Sequence, residues 1–349
     1  MHELTITEII LVGKSSKILG GAEKYFKYLA EDLSLYYKIN RPNESIKISY
    51  YETISCIRFI QLVLCRSKKI FVFNYSVLFD ASIYHYMAFM LLQRVVILPH
   101  LTCSPLLMHP KLWYLRLVNY YLNTLMCDKI ICISDGNYNT LSLFRFISLS
   151  KLHKVYNYTS ITSPRTCTDS AVYTSEVAII GRLQNQHKGQ YDFIINNYLY
   201  LVRMNIRVHL FGEGPDYKLL SKLIASSSCK SNIILHGFVD TTRIYTEHSF
   251  STVICYSYWE GLPLNLLESY GAGKIVLGRD IPGVNEIIFP LFRFSSDSQL
   301  QNIMNSLDCL FARRTFRNEY SLFVGRILAK YNKYSSMVSL NELFDSLSH

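Results

Sequence analysis

Glu260-Gly-Leu-Pro-Leu-Asn-Leu-Leu-Glu268 is the stretch on which the fold turns. It follows the apolar run Thr252–Ser257, which has the length and residue type of a buried strand. Pro263 suits the first turn of a helix, where its ring presets φ and its missing N–H is one the helix would leave unbonded anyway. Glu268 then lies about a turn and a half inside that helix. A strand that runs through a short loop into a helix is the unit of an open α/β sheet, and ligands bind where such loops leave the strands' carboxyl ends. The helix N-terminus there offers unbonded N–H groups and a positive dipole end to phosphate. Two carboxylates beside it would repel a phosphate, so they need another partner. Sugar and ribose hydroxyls serve, because a carboxylate accepts two hydrogen bonds at once. The plainer reading is an ordinary surface helix with a glutamate in its early turns.

The same rhythm runs through the second half of the chain. Glu176–Gly181, Arg207–Gly212, Asn232–Gly237, Thr252–Ser257 and Lys274–Gly278 read as strands, with amphipathic helices such as Tyr191–Val202 and Tyr217–Ser226 between them. That alternation predicts a parallel sheet covered by helices. Several of the strands end in glycine, where the chain turns at the sheet's carboxyl edge. At one such end Gly181-Arg182-Leu183 is followed by Lys188-Gly189, which puts two cations in one loop. They read either as neutralising a leaving diphosphate or as an ordinary solvated basic loop. Alanine at either cation is expected to leave the fold intact. Gly212-Glu-Gly214-Pro215 reads first as a tight structural turn. His236-Gly237-Phe238 ends the next strand and either offers backbone to a base or is only a strand end. Glu286, in Pro282-Gly-Val-Asn-Glu286, is equally open.

The first half opens alike. Glu8–Gly13 reads as a strand, a loop ends in Gly20-Gly21, and Ala22, Tyr25, Phe26, Leu29, Ala30 and Leu33 then recur at helical spacing. Lys69–Asn74, Val95–Pro99 and Lys129–Ser134 are further strand candidates. The glycine pair lets backbone approach a ligand closely, or simply forms a loop. His100 follows Val-Ile-Leu-Pro at a strand's carboxyl end, where a lone histidine is more often structural. The boundary falls in Asn157–Tyr173, rich in Ser and Thr and containing Pro164, and gives domains over 1–172 and 173–332. Ile327–His349 reads as helical, and its last part, about 333–349, is expected to pack back on the first domain.

Composition bounds the function. The 349 residues suffice for two domains, and half are apolar, so each can bury a core. Only 18% are charged, which excludes a disordered polyelectrolyte. The net charge of +10 is uneven: residues 1–163 hold 18 Lys/Arg against 10 Asp/Glu, the remainder 18 against 16. A basic first half suits a phosphorylated substrate or an anionic membrane surface, the latter with the aromatic stretch Trp113–Tyr121 nearby. Nucleic acid is not expected, since no zinc finger, RNA-binding aromatic motif or long Lys/Arg run occurs. The first residues read as a strand rather than a signal peptide, and no run of about 20 apolar residues occurs. The nine cysteines lack CxxC pairs and mostly lie in apolar segments, so they read as reduced core thiols of a cytoplasmic protein, placed at the cytoplasmic face of an inner membrane.

Taken in order, these strand-end signals resemble one family. From Val177 to Ile288 the chain is similar to the donor-binding domain of family 4 retaining glycosyltransferases of GT-B fold. The residues that carry the resemblance are Ile180-Gly-Arg-Leu183, Lys188-Gly189, Phe211-Gly-Glu-Gly-Pro215, His236-Gly-Phe238, Ser257-Tyr-Trp-Glu-Gly-Leu-Pro263, Leu266-Leu-Glu268, Gly273-Lys-Ile-Val276 and Pro282-Gly-Val-Asn-Glu-Ile-Ile288. In the first half it is looser: Gly20-Gly21-Ala-Glu23, His100 and Asp128-Lys-Ile-Ile-Cys-Ile-Ser134. The resemblance implies an α/β chain of two Rossmann-like domains with parallel sheets facing a cleft. It implies that Arg182 and Lys188 hold the donor diphosphate, Glu260 the transferred sugar's hydroxyls and Glu268 the ribose. His100 would lie near the sugar and Gly21 near the diphosphate. Backbone at Phe238 would meet the base, and Gly181, Gly261, Leu262, Pro263 and Leu267 complete the donor contacts. Three positions depart from the family's pattern: Tyr158 follows Asn157, Tyr256 stands where proline is usual, and Gly271 follows Glu268-Ser-Tyr.

No Asp-x-Asp occurs in the sequence. Such a carboxylate pair commonly holds the divalent metal of enzymes that need one for a nucleotide diphosphate. With Arg182, Lys188 and a helix N-terminus in its place, no metal and no other cofactor is expected. The expected partners are a nucleotide-sugar and a glycan or lipid-linked acceptor, in bacterial surface polysaccharide assembly such as lipopolysaccharide or capsule. A non-catalytic nucleotide-sugar-binding subunit and a nucleotide-sugar epimerase are the competing readings.

Overall fold

The computed structural model describes residues 6–13, 21–52, 54, 56–65, 67–74, 93–98, 122, 124–159, 175–226 and 231–348. Gly20, His100, Trp113–Tyr121 and Pro164 lie outside the described residues. The chain divides into two compact units, Met1–Asn157 with Lys333–His349, and Tyr158–Asn332.

The first unit contains β1 (Ile6–Val12), α1 (Gly21–Asn40), β2 (Lys47–Tyr51), α2 (Cys56–Leu64), β3 (Lys68–Asn74), β4 (Arg94–Leu98), β5 (Lys129–Cys132), α3 (Asp135–Ser142) and β6 (Leu152–Lys154). Its strands pair in the order β2-β1-β3-β4-β5-β6, all parallel. A parallel sheet is covered on both faces, so its inner strands are apolar without alternation. Ile9, Ile10, Phe71, Phe73, Val95 and Ile131 are accordingly buried. Ser134 caps α3 by accepting from Asn137 N–H at 3.0 Å.

The second unit contains β7 (Glu176–Ile180), α4 (Asn185–Lys188), α5 (Gln190–Arg203), β8 (Arg207–Phe211), α6 (Tyr217–Ser226), β9 (Ile233–Gly237), α7 (Thr241–Glu247), β10 (Thr252–Cys255), α8 (Leu264–Gly271), β11 (Ile275–Arg279), β12 (Arg293–Phe294), α9 (Asp297–Ala312) and α10 (Arg314–Lys330). Its strand order is β12-β11-β10-β7-β8-β9, again all parallel. The order reverses between β7 and β10, a topological switch point.

The stretch Ile327–His349, read as helical, spans two helices broken at Tyr331-Asn332, where the chain passes from the second unit to the first. Helix α11 (Lys333–Ser348) packs on the first unit through buried Met337, Leu340, Leu343, Phe344 and Leu347. Burying each such side chain contributes about 1.5–3 kcal/mol. Polar contacts fix its place. Arg41 grips Asp345 with two bonds of 2.9 and 2.5 Å, Lys333 pairs with Asp32, and Ser336 Oγ donates to Tyr156 O at 2.6 Å.

Among the described cysteines Cys127, Cys132 and Cys255 are buried, but Cys65 and Cys309 are exposed, so the expectation of core thiols fails at those two.

Candidate active site

The site is built where the sheet order of the second unit reverses, at the carboxyl ends of β7 and β10. β10 ends at Cys255, and the chain loops through Glu260 before α8 begins. Pro263 is the N-cap of α8, one residue ahead of the first turn where its ring was expected. Glu260 is 6% exposed. One of its oxygens, Oε1, accepts from the Ser257 hydroxyl at 2.7 Å and pairs with Lys188 Nζ. Ser257, Cys255, Tyr256 and Asn265 line, with Lys188 and Glu260, a small cavity of about 10 Å³ between the two strand ends. That is the size limit for a single water.

Lys188 does not stand in a free loop. It closes the helical turn α4, whose first N–H, that of Asn185, donates to Asp216 at 2.6 Å. Arg182, by contrast, is exposed, and its carbonyl accepts from Gln190 Nε2 at 2.9 Å. Two glycines shape the place. Gly189 turns the chain from α4 into α5 at φ 68°, and a Cβ there would stand 2.8 Å from the Tyr256 carbonyl oxygen. Gly283, at φ 83°, lies so close to the Glu260 loop that a Cβ would stand 2.6 Å from the Glu260 carbonyl oxygen. Any side chain would strain the backbone and displace the loop.

Burial opposes ionisation of Glu260, yet the charges of Lys188 and His187 and the hydrogen bonds from Lys188 and Ser257 together hold its carboxyl below the usual range. Burial, then the Lys188 ammonium, pushes His187 down to about 4. His187 is therefore neutral at pH 7, and its Nε2–H donates to the Trp259 carbonyl at 2.9 Å. The two rings stack at 5.2 Å, 5° from parallel. The imidazole clamps the loop that carries Glu260 to the turn that carries Lys188.

Gly181 ends β7. Gly261, Leu262 and Pro263 continue from Glu260 and are buried, as is Leu267 in α8. Glu268 is half-buried in α8; burial, then the Glu268 charge, raises the pKa of the Tyr245 hydroxyl. Phe238, past the end of β9, is 55% exposed. Glu286 accepts from the Tyr331 hydroxyl at 2.9 Å, a structural bond. Gly212 and Gly214 press on the carbonyls of Gly181 and Leu183, as a tight structural turn requires. Gly21 opens α1 in the other unit, and His100 is outside the described residues.

Sequence reading assigned no role to Ser257, His187 or Asn265, whose Nδ2 donates to the Ile180 carbonyl at 2.8 Å and ties α8 to the end of β7. Their signal was adjacency: Ser257 and Asn265 sit within motifs already singled out, and His187 directly precedes one. Tyr256, where the family's proline is missing, is held by other means. Its hydroxyl donates to Asp297 at 2.7 Å, and the Arg279 guanidinium lies 4.2 Å over its ring.

Residues 174–308 match the family model described as Glycosyl transferases group 1. The match lies within the second unit and covers less than half of the chain. Over 82 residues, 24% of its length, the chain is 32% identical to the UDP-N-acetylglucosamine–peptide N-acetylglucosaminyltransferase GtfA subunit of Limosilactobacillus reuteri subsp. suis. That match spans only 16% of the relative's length. The chain as a whole is similar in fold to Anabaena HepE, solved with UDP, at a TM-score of 0.72 and 16% identity, covering 98% of this chain and 100% of HepE. It is also similar to a variant of S. aureus TarM solved with UDP, at a TM-score of 0.61 and 16% identity, covering 79% of this chain and 55% of TarM. The architecture is thus GT-B: two α/β units, each with a parallel sheet. No helix among the described residues is long and apolar enough to cross a membrane.

Proposed function

We propose that this chain is a retaining, metal-independent glycosyltransferase. It moves a sugar from a nucleotide-sugar to a glycan or lipid-linked acceptor in bacterial surface polysaccharide assembly. One observation carries the reading: a buried carboxylate, Glu260, is kept ionised by Lys188 at the switch point of the domain. A buried ion pair stabilises a fold little against an apolar replacement, so its value lies in what it binds. A sugar diphosphate supplies partners for both ions. Its phosphate oxygens compete for the Lys188 ammonium, and its sugar hydroxyls take the place left on Glu260. The pair is an internal stand-in for the donor, exchanged when the donor enters.

Arg182, exposed beside the pair, adds a planar fork of donors to the same diphosphate. As the bond to the anomeric carbon breaks, negative charge grows on the leaving oxygens, and cations fixed there stabilise that state most. They do the work a bridging metal does elsewhere. Attack from the same face, with the leaving phosphate helping to take the acceptor's proton, retains configuration and requires no protein nucleophile. Glu268 takes the ribose and backbone at Phe238 the base. HepE and TarM were solved with UDP, so UDP-sugars are the first donors to try.

The test is release of UDP from a panel of UDP-sugars, with and without glycan and lipid-linked acceptors, alongside thermal-shift binding. Acceptor-dependent release of nucleotide is expected. Binding without release for every acceptor would make the chain a non-catalytic nucleotide-sugar-binding subunit. Acceptor-independent conversion would make it an epimerase.

A further inference from the structure

A second cluster of nitrogen-bearing side chains lies in the same unit, on the face of the sheet and distinct from the Lys188–Glu260 pair. His209 is the middle residue of β8, and His248 is the C-cap of α7. His236 owes its place to an irregularity in the ladder. Leu210 faces Leu235 but Phe211 faces Gly237, so His236 is an extra residue in β9. Bulges of this kind re-aim a side chain. One ring nitrogen from each histidine lies within 4.8 Å of the others. His209 Nδ1 and His236 Nε2 are 2.9 Å apart, and the His248 ring meets that of His236 at 70° with centroids 4.6 Å apart.

We propose that His209, His236 and His248 bind one divalent transition cation of the zinc type, with water as the fourth ligand. The donor set selects the class of ion: imidazoles suit zinc and its neighbours, whereas magnesium and calcium take oxygen ligands. A neutral imidazole keeps one N–H and offers its other ring nitrogen as a ligand. For His209 and His236 the change in geometry is small, and the His248 nitrogen, within 4.8 Å of the others, moves in to meet the ion. Zinc–nitrogen bonds of about 2.0–2.1 Å in a tetrahedron require ligand atoms about 3.4 Å apart, against the 2.9 Å between His209 and His236.

The surroundings are those of a ligating histidine. His209 is 7% exposed, its Nε2 has no hydrogen-bond partner, and that nitrogen stands 3.5 Å from Glu176 Oε2. Metal-bound histidines typically donate their other N–H to such a carboxylate, which fixes the tautomer and strengthens the ligand. Glu176 is itself held, by Arg207 at 2.9 Å and Ser249 at 2.8 Å. An aromatic cluster with Phe211 and Phe250 accounts for the ring stacking. It gives no reason for a buried imidazole to leave a nitrogen unbonded before a carboxylate. The cation would tie β8, β9 and the segment entering β10 together, and it takes no part in sugar transfer.

The full chain, stripped with chelator and dialysed at pH 7.5, is titrated with ZnCl₂ and with CoCl₂. One equivalent of each is expected to bind, and Co²⁺ should show the intense visible bands of a tetrahedral site. His248→Ala should weaken Zn²⁺ binding by at least about 100-fold, and Glu176→Gln by about 10–100-fold. Circular dichroism of the metal-free proteins checks that the variants fold, and His248→Gln replaces His248→Ala if that one does not. Failure of the wild-type chain to take up an equivalent of either ion overturns the assignment. So does uptake that survives loss of His248, or a sulfur-to-cobalt charge-transfer band, which would put the ion on cysteines such as Cys65 or Cys309.

Discussion

Lys188→Ala removes the ammonium from a carboxylate that water barely reaches. The Glu260 side chain is 8% exposed and that of Lys188 19%. Breaking a buried pair by deleting one partner costs about 3–5 kcal/mol, because the other charge stays buried. The Ser257 hydroxyl remains at 2.7 Å and Lys188 is not wholly enclosed, so the low end, about 3 kcal/mol, is expected. This reverses what a loop position implied, that the fold would be indifferent to alanine here.

The pH dependence has a definite sign. In the wild type the Glu260 carboxyl is held below its usual range, so its contribution is present at neutral pH and is lost as pH falls through the folded value. In the variant burial acts against the charge without the cation, the folded value rises, and the penalty is full at high pH and shrinks on acidification. The gap between wild type and variant should therefore be wider at pH 8 than at pH 5, and Lys188→Ala with Glu260→Gln should recover most of the loss. Two units make a whole-chain melting temperature ambiguous. Urea unfolding is better followed by fluorescence in a Trp113→Phe background, where Trp259, stacked on His187, is the sole tryptophan. A gap under about 1 kcal/mol at pH 8, too small for a stranded buried charge, or one that does not change with pH, refutes the reasoning.

Arg182→Ala should leave stability unchanged, since the residue is exposed, and lower kcat by about 10²–10³ with a smaller rise in donor KM; steady-state kinetics with near-normal kcat would return Arg182 to a solvated loop. Activity should survive excess chelator, and loss with recovery on Mg²⁺ or Mn²⁺ would contradict the proposed metal independence. NMR of fresh product should show the donor's anomeric configuration, and an inverted product would rule out the retaining mechanism. With an excess of eight basic residues in positions 1–163, the chain should float with anionic liposomes at low salt and release at high salt; no binding at low salt ends that idea.

The fold was legible wherever burial was complete. The inner strands β1, β3, β4, β5, β7, β8, β10 and β11 are short apolar runs bounded by turn residues, and the expected spans differ from the observed ones by one or two positions. The strands that escaped reading are edges or fragments. β2, Lys47–Tyr51, is half-exposed along nearly its whole length and carries Ser and Tyr, so no buried face marks it. β6 and β12 have three and two residues, too few to show a period. The helical stretch from Ile327 breaks at Tyr331-Asn332, next to position 333, from which the last part was expected to pack back on the first domain.

Why Lys188 and Glu260 meet is a question of topology. They are 72 residues apart, with β8 and β9 between them in the chain, and read in order they belong to two separate motifs. The parallel sheet sends β8 and β9 to one side of β7 and β10 to the other, so the first and fourth strands of the unit become neighbours and their loops converge. Once they converge, motifs that had looked independent become one device. Gly189 is glycine because Tyr256 lies against it, and Gly283 because the Glu260 carbonyl does. His187 is neutral because it is buried and because the Lys188 ammonium stands beside it in the same turn. Each residue type follows from a neighbour supplied by a different strand end. A signal of that kind exists only in three dimensions, and it explains why the motifs were visible one at a time while the pair that unites them was not.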